Sequence, residues 1–209
     1  MLDFKELNAG DPLKRTVEKK TGAPEYSPMD PPSAYEPLAK ESIPYENMHP
    51  TLKALVDEHH TFTQKLKNFE DVLTLIRKEG LMSHHHSQLR DFFEFFDRTI
   101  HPHGKKEEKE LFPLLRQKLI EQGEHGPDQK TGVDLLEDDH TQALQLAAVS
   151  FNLLGLVSRL SNPKSQLEVL DLALTQAQTL VELMRLHIFR ENEVIFPLAQ
   201  KYLASELSR

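Results

Sequence analysis

Two stretches of this chain, 55–114 and 135–198, are versions of one pattern, and that duplication limits the folds open to it. LVDEHH in the first matches LLEDDH in the second, and HGKKEEKELFPL matches HIFRENEVIFPL. Both copies carry apolar residues at steps of three and four, the spacing of a helix with one buried face. In the first helix the stripe runs Leu52, Leu55, Val56, Phe62, Leu66, Phe69, Val72, Leu73 and Ile76. Pro50 suits its first turn and Gly80 its end, so the helix is predicted over 50–79. His59 falls inside the stripe. Ser83 is positioned to cap a second helix whose inward face reads Leu89, Phe92, Phe96, Ile100, His103, Glu107, Leu111 and Leu114. Pro102 has no N–H for an i−4 bond and predicts a kink or restart just before His103.

After a loop over 123–132, a third helix is predicted over about 133–160. Its apolar side is Leu136, Ala143, Leu144, Ala147, Phe151 and Leu154, with His140 in register. Asn162-Pro163 supplies a cap and first-turn proline. The fourth helix runs Leu167, Leu170, Leu174, Ala177, Leu180 and Met184, then His187 and Glu191, then Ile195 and Leu198. Each copy is therefore a helical hairpin with a histidine on its first helix and His-x-x-x-Glu on its second. The histidines are 44 residues apart in one copy and 47 in the other. The expected fold is all-α: an antiparallel up-down-up-down four-helix bundle over 48–209, built from two similar hairpins. A pseudo-twofold would bring His59, His103 and Glu107 to the level of His140, His187 and Glu191.

Residues four apart share a helix face, so each His-x-x-x-Glu can serve one ion. Six such groups in apolar seams, left uncompensated, would strongly destabilise a bundle, and a metal removes that penalty. The chain has no Cys, which excludes thiolate sites and leaves nitrogen and oxygen donors. Such donors suit iron, with manganese and zinc possible by ligand type. Six ligands, two of them able to bridge, favour two ions. With both glutamates and an oxo or hydroxo group bridging, each iron would have two histidines, three bridging oxygens and one open position. The other histidines lack this support: His84, His85 and His86 read as a solvated helix start before they read as an adventitious metal site, His60 faces elsewhere, as does His101 unless the break at Pro102 turns it inward as an alternative ligand, and His49 and His125 read as loop residues. Glu58 and Asp139 precede ligand histidines and are placed to hold an imidazole N–H in the opposite hairpin, or to be plain surface charge. Glu108 reads as surface or as support for a ligand, and the phenylalanines of Phe112-Pro113 and Phe196-Pro197 as packing.

Composition sets the remaining bounds. At 209 residues one domain plus a tail is expected. Thirty-three acids against 25 bases give a net charge of −8, and no Lys/Arg block is dense enough to track phosphates, so nucleic acid is not expected as a partner. No apolar run approaches the roughly 20 residues of a membrane span, and MLDFKELNAG has no secretory-signal pattern; a cytoplasmic protein is expected. Residues 1–47 hold seven of the 13 prolines and no apolar period, which predicts an extended arm. It reads as a flexible tail, or as an element that mediates a homodimer or another partner through Tyr26, Tyr35 and Tyr45.

The elements Leu55-x-x-Glu58-His59, His103-x-x-x-Glu107-Glu108 with Leu111-Phe112-Pro113, His140, and His187-x-x-x-Glu191 with Ile195-Phe196-Pro197 resemble the hemerythrin-like, or HHE cation-binding, family. The likeness covers roughly residues 50–203. It implies a non-haem di-iron centre that binds O2, NO or peroxide, or responds to iron itself, with a di-iron enzyme acting on peroxide or NO, or in iron-centre repair, as the alternative. The chain departs from oxygen-carrying members at Leu144, where they have a fifth histidine. It also departs at Glu191 and Asn192, where their motif ends in Asp five residues after the histidine. The four-histidine, two-glutamate set looks more like the branch of bacterial iron-centre repair proteins and eukaryotic iron sensors. The repair proteins carry a Cys-containing N-terminal segment, which this chain lacks.

Overall fold

A computed structural model describes residues 43–207, and they form four long helices. Residues 1–42 of the expected arm, including Tyr26 and Tyr35, lie outside the described residues. The last part of that arm is a short 3-10 turn, Tyr45–Asn47, and the Tyr45 hydroxyl donates to Asp57 Oδ1 at 2.8 Å. Among the described residues no helix is long and apolar enough to cross a membrane.

Helix α1 spans Pro50–Glu79, with Pro50 in its first turn and Gly80 ending it at φ 83°, a left-handed angle that glycine adopts without strain. Its buried face is the predicted stripe, except that Val56 is only half buried. Helix α2 covers 85–121 and begins later than the sequence indicates. Ser83 does not cap it; its carbonyl accepts from the His86 N–H inside the preceding turn. His85, expected to be solvated, is fully buried there: its Nδ1 accepts from the Met82 N–H at 3.1 Å and its Nε2 meets Glu79 Oε1 at 3.1 Å. Helix α3 spans Gly132–Val157 and opens on a capping box in which Thr131 and Asp134 satisfy each other's N–H groups. Helix α4 covers 163–203, and the Asn162 side chain accepts from the Ser165 N–H at 3.1 Å, the cap expected there.

The second helix of each hairpin is not a regular α-helix. In α2 the His101 N–H reaches back five residues to Phe96 O, and the Phe112 N–H to Glu107 O. In α4 the Phe196 N–H does the same to Glu191 O. These are π turns, and each ends at the residue before a proline, namely Pro102, Pro113 or Pro197. A proline cannot donate to the i−4 carbonyl and its ring collides with it; one extra residue in the turn relieves both. The break expected at Pro102 is thus a local widening, and the helix resumes at His101. The extra residue also shifts the buried face. Leu115 and Ala199 are buried where regular spacing points to Leu114 and Leu198; Leu114 is 40% exposed.

In α3 the buried line is Leu136, Ala143, Ser150 and Val157, a seven-residue step joined by Leu146, Ala147 and Leu154. Leu144 and Phe151, expected inside, are exposed, as is Leu167 in α4. Both hairpins fold back antiparallel: Phe69 stacks on Phe92 at 3.7 Å within the first, and Phe93 meets Phe151 edge-on at 5.3 Å between the hairpins. The apolar core forms two blocks. One runs from Phe62 through Phe96 and Leu146 to Ile188; the other joins Leu52, Phe112, Leu136 and Phe196. Polar side chains fill the layer between them.

Candidate metal centre

That layer holds His59 from α1, His103 and Glu107 from α2, His140 from α3, and His187 and Glu191 from α4. All six predicted residues meet at one level, and all but His140 are essentially inaccessible. Their ligand atoms fall into two sets, His59, His103, Glu107 and Glu191, and Glu107, His140, His187 and Glu191. Within each set every atom lies within 4.8 Å of the others. Both glutamates belong to both sets. Glu107 directs Oε1 to His103 Nε2 at 3.3 Å and Oε2 to His140 Nε2 at 3.6 Å. Glu191 Oε2 lies 3.2 Å from His59 Nε2 and 3.2 Å from His187 Nε2.

The outer nitrogens set the tautomers. His59 Nδ1 donates to Asn192 Oδ1 at 2.9 Å, His103 Nδ1 to Glu58 Oε2 at 2.5 Å, and His140 Nδ1 to Glu108 Oε1 at 3.0 Å. With the proton on Nδ1, each Nε2 presents a lone pair inward. The pairs His59–His103 and His140–His187 face each other Nε2 to Nε2, at 3.1 Å in both hairpins; in the first pair both Nε2 atoms then carry lone pairs, while His187 Nδ1 is buried without a hydrogen-bond partner. Facing lone pairs repel, and both oxygens of Glu107 and of Glu191 are buried with no hydrogen-bond donor. Each such orphan costs about 1–3 kcal/mol. A cation between the rings and carboxylates removes both penalties, so the donor set fits a metal. The protons show the same tension. Burial and the neighbouring Glu191 push Glu107 up to about 7. Burial also opposes charge on Glu191, but His187 and His59 hold its carboxyl well below the usual range. Burial disfavours protonation of His187, yet Glu191 and Asp139 outweigh it and push the imidazole up to about 10. His140 is lowered, by burial and by His187 beside it.

A model of the hemerythrin HHE cation binding domain matches residues 48–199, well over half of the chain. The chain belongs to this family. No curated protein and no solved structure gives a significant match. The hemerythrin-type domain and its His/Glu cluster fit a metal site.

Around this hemerythrin-type cluster the supporting contacts differ from those expected. Glu58 holds His103, and Asp139 Oδ2 lies 3.6 Å from His187 Nδ1 while accepting from Arg190 at 2.7 Å; each partner is in its own hairpin, not the opposite one. The contacts that cross between hairpins come from Glu108 and Asn192, one residue after each glutamate. A step of one residue turns a side chain about 100° around the helix. The residue before each first-helix histidine therefore faces the neighbour within its hairpin, and the residue after each glutamate faces across. Asn192 carried two sequence signals, its repeat position opposite Glu108 and its place five residues after His187, where oxygen-carrying members have Asp, but neither pointed to a contact with His59. Phe112 stacks on His140 at 5.8 Å and 12°, and Phe196 on His59 at 5.4 Å and 14°. These phenylalanines follow the π turns and brace the histidines of the other hairpin.

Proposed function

We propose that the site holds two iron ions, with His59 and His103 on one, His140 and His187 on the other, and Glu107 and Glu191 shared between them. On this reading the chain binds or senses a small ligand such as O2, NO or peroxide, or iron supply itself. The observation that carries it is the sharing: each carboxylate serves both sets of ligand atoms, an arrangement that one ion does not call for. Bound iron would supply a Lewis-acidic, redox-active position for such a ligand. The protein's own part is to exclude bulk water with two apolar blocks, to fix three of the four imidazoles by Nδ1–H, and to hold two buried carboxylates in place. Second contacts of this kind commonly change metal affinity by roughly 10–100-fold when removed.

The test is the full chain loaded anaerobically with Fe(II), followed by metal analysis and visible spectra with O2, azide and H2O2. About two irons per chain, with charge-transfer bands that change on azide or O2 addition, is the expected result. His103→Ala and His187→Ala should each lower the iron content. A wild type that holds no iron, or histidine variants that lose none, would overturn the reading. Rapid consumption of peroxide would move the assignment from binding to catalysis.

A further inference from the structure

The cavity against this site opens on one face of the bundle. Its volume is about 90 Å³, and its wall includes the four ligand histidines but neither Glu107 nor Glu191, so its contents face the imidazole side. The lining from α1 and α4, which includes Phe62, Met184 and Ile188, is buried throughout. The exposed and half-exposed lining comes from α2 and α3: Lys105 and Glu108 on one, Thr141 and Leu144 on the other. The four histidines share that asymmetry. The side chain of His140 is 13% exposed, against 2–3% for the other three.

Gly104 follows His103, and its repeat counterpart Ile188 follows His187. Gly104 packs so closely on His140 that a Cβ there would lie 2.9 Å from the ring. The His140 ring therefore sits against the α2 backbone, in space that a side chain at 104 would take. At the rim the Lys105 ammonium meets Glu108 Oε2 at 2.5 Å, while Glu108 Oε1 accepts from His140. The carboxylate is neutralised, and the mouth does not repel an anion.

We propose that the gap between α2 and α3, framed by Gly104, Thr141 and Leu144, is the port through which a small neutral molecule or monoanion reaches the metal held by His140 and His187. At about 10–15 Å³ for each water-sized position the chamber takes roughly six, which admits a diatomic, azide or peroxide and excludes an ordinary organic substrate. The apolar lining favours neutral diatomics. His59 and His103 line the same chamber from its buried side, so entry is at His140 and the two halves of the duplicated site differ in access. The port rests on the di-iron reading given above.

Leu144 lies at the mouth, and its repeat counterpart, four residues after His59, is the exposed Thr63 on the closed face. Leu144→Trp and Thr63→Trp therefore form a matched pair at exposed positions. In the iron-loaded full chain, Leu144→Trp should slow azide association by at least about tenfold, roughly 1.4 kcal/mol on the barrier. Iron content and thermal unfolding should stay as in wild type, and Thr63→Trp should leave the rate unchanged. Xenon exchange into the chamber of the metal-free chain gives an arm that needs no iron, and Leu144→Trp should slow it too. A wild type without iron would overturn the di-iron reading, with the port then decided by xenon alone. Wild-type azide and xenon rates in Leu144→Trp, or equal slowing in Thr63→Trp, would overturn the port.

Discussion

Replacing Gly104 with alanine separates two opposed effects whose sizes differ. The new Cβ would sit 2.9 Å from His140 Cε1 and Nε2 and 3.1 Å from Cδ2, whereas ordinary contacts begin at 3.4 Å, so something must move by 0.5 Å, the difference of those distances. The ring has little room to yield. Glu108 holds its Nδ1 at 3.0 Å, Phe112 stacks on one face, and His187 Nε2 lies 3.1 Å from its Nε2. Overpacking of this kind costs about 1–3 kcal/mol. Alanine inside a helix returns about 0.5–1 kcal/mol relative to glycine. The metal-free chain should therefore lose about 1 kcal/mol, or roughly 2–4 °C in Tm for a bundle of this size. Metal binding should suffer more, because a displaced ligand weakens its ion by about 10–100-fold. Chelator competition with Fe(II) should show one of two equivalents weakened to that extent. A Tm raised by the helix-propensity gain, with both equivalents at wild-type affinity, would show that His140 does not rest on Gly104 and would refute the reasoning.

Further outcomes follow from the same geometry. The folded-state values of Glu107 and His187 are both raised, so each contributes stability that is complete below its unfolded value and is lost as pH rises through the folded one. For Glu107 that window is 4.5 to about 7, and for His187 it is 6.5 to about 10. Glu191 is lowered and acts in the opposite sense, its contribution failing only as pH falls below 4.5. His140 is lowered, so its contribution grows as pH rises toward 6.5 and offsets part of the Glu107 loss. The Tm of the metal-free chain should thus fall most clearly above pH 6.5, and Fe(II) affinity, which requires loss of those protons, should rise across the same range; a flat metal-free Tm would contradict the assignment. Glu58→Ala and Asn192→Ala should each weaken iron binding by about 10–100-fold while retaining helicity by circular dichroism. Unchanged affinity in both would show that the outer hydrogen bonds do not orient the ligands.

The candidate ligands were legible because they break a pattern. A histidine inside Leu55–Phe62, or a glutamate four residues after His103, stands out against apolar neighbours and repeats in the other half. The ends at Pro50, Gly80 and Asn162 were legible through backbone chemistry that needs no tertiary context. Helical phase was not, since apolar spacing alone cannot separate Leu144 from Ala143 or Leu146 when all three continue a stripe. Only packing against α2 and α4 leaves Leu144 outside. The burial of His85 is hidden for a related reason, because a polar triplet reads as solvated until the turn supplies the Met82 N–H and Glu79 that satisfy it. The π turns did leave a mark, the proline six residues after each glutamate, but a proline predicts a lost hydrogen bond and not the way the chain recovers it. Here it recovers by adding a residue to the turn, and the consequence reaches the metal site. Regular α spacing after Glu107 and Glu191 would carry the buried face on to Leu114 and Leu198. The widened turn instead moves it to Leu115 and Ala199, with Phe112 and Phe196 set against His140 and His59. Each proline thus helps position a histidine on a different helix, through one inserted residue that neither repeat displays by itself.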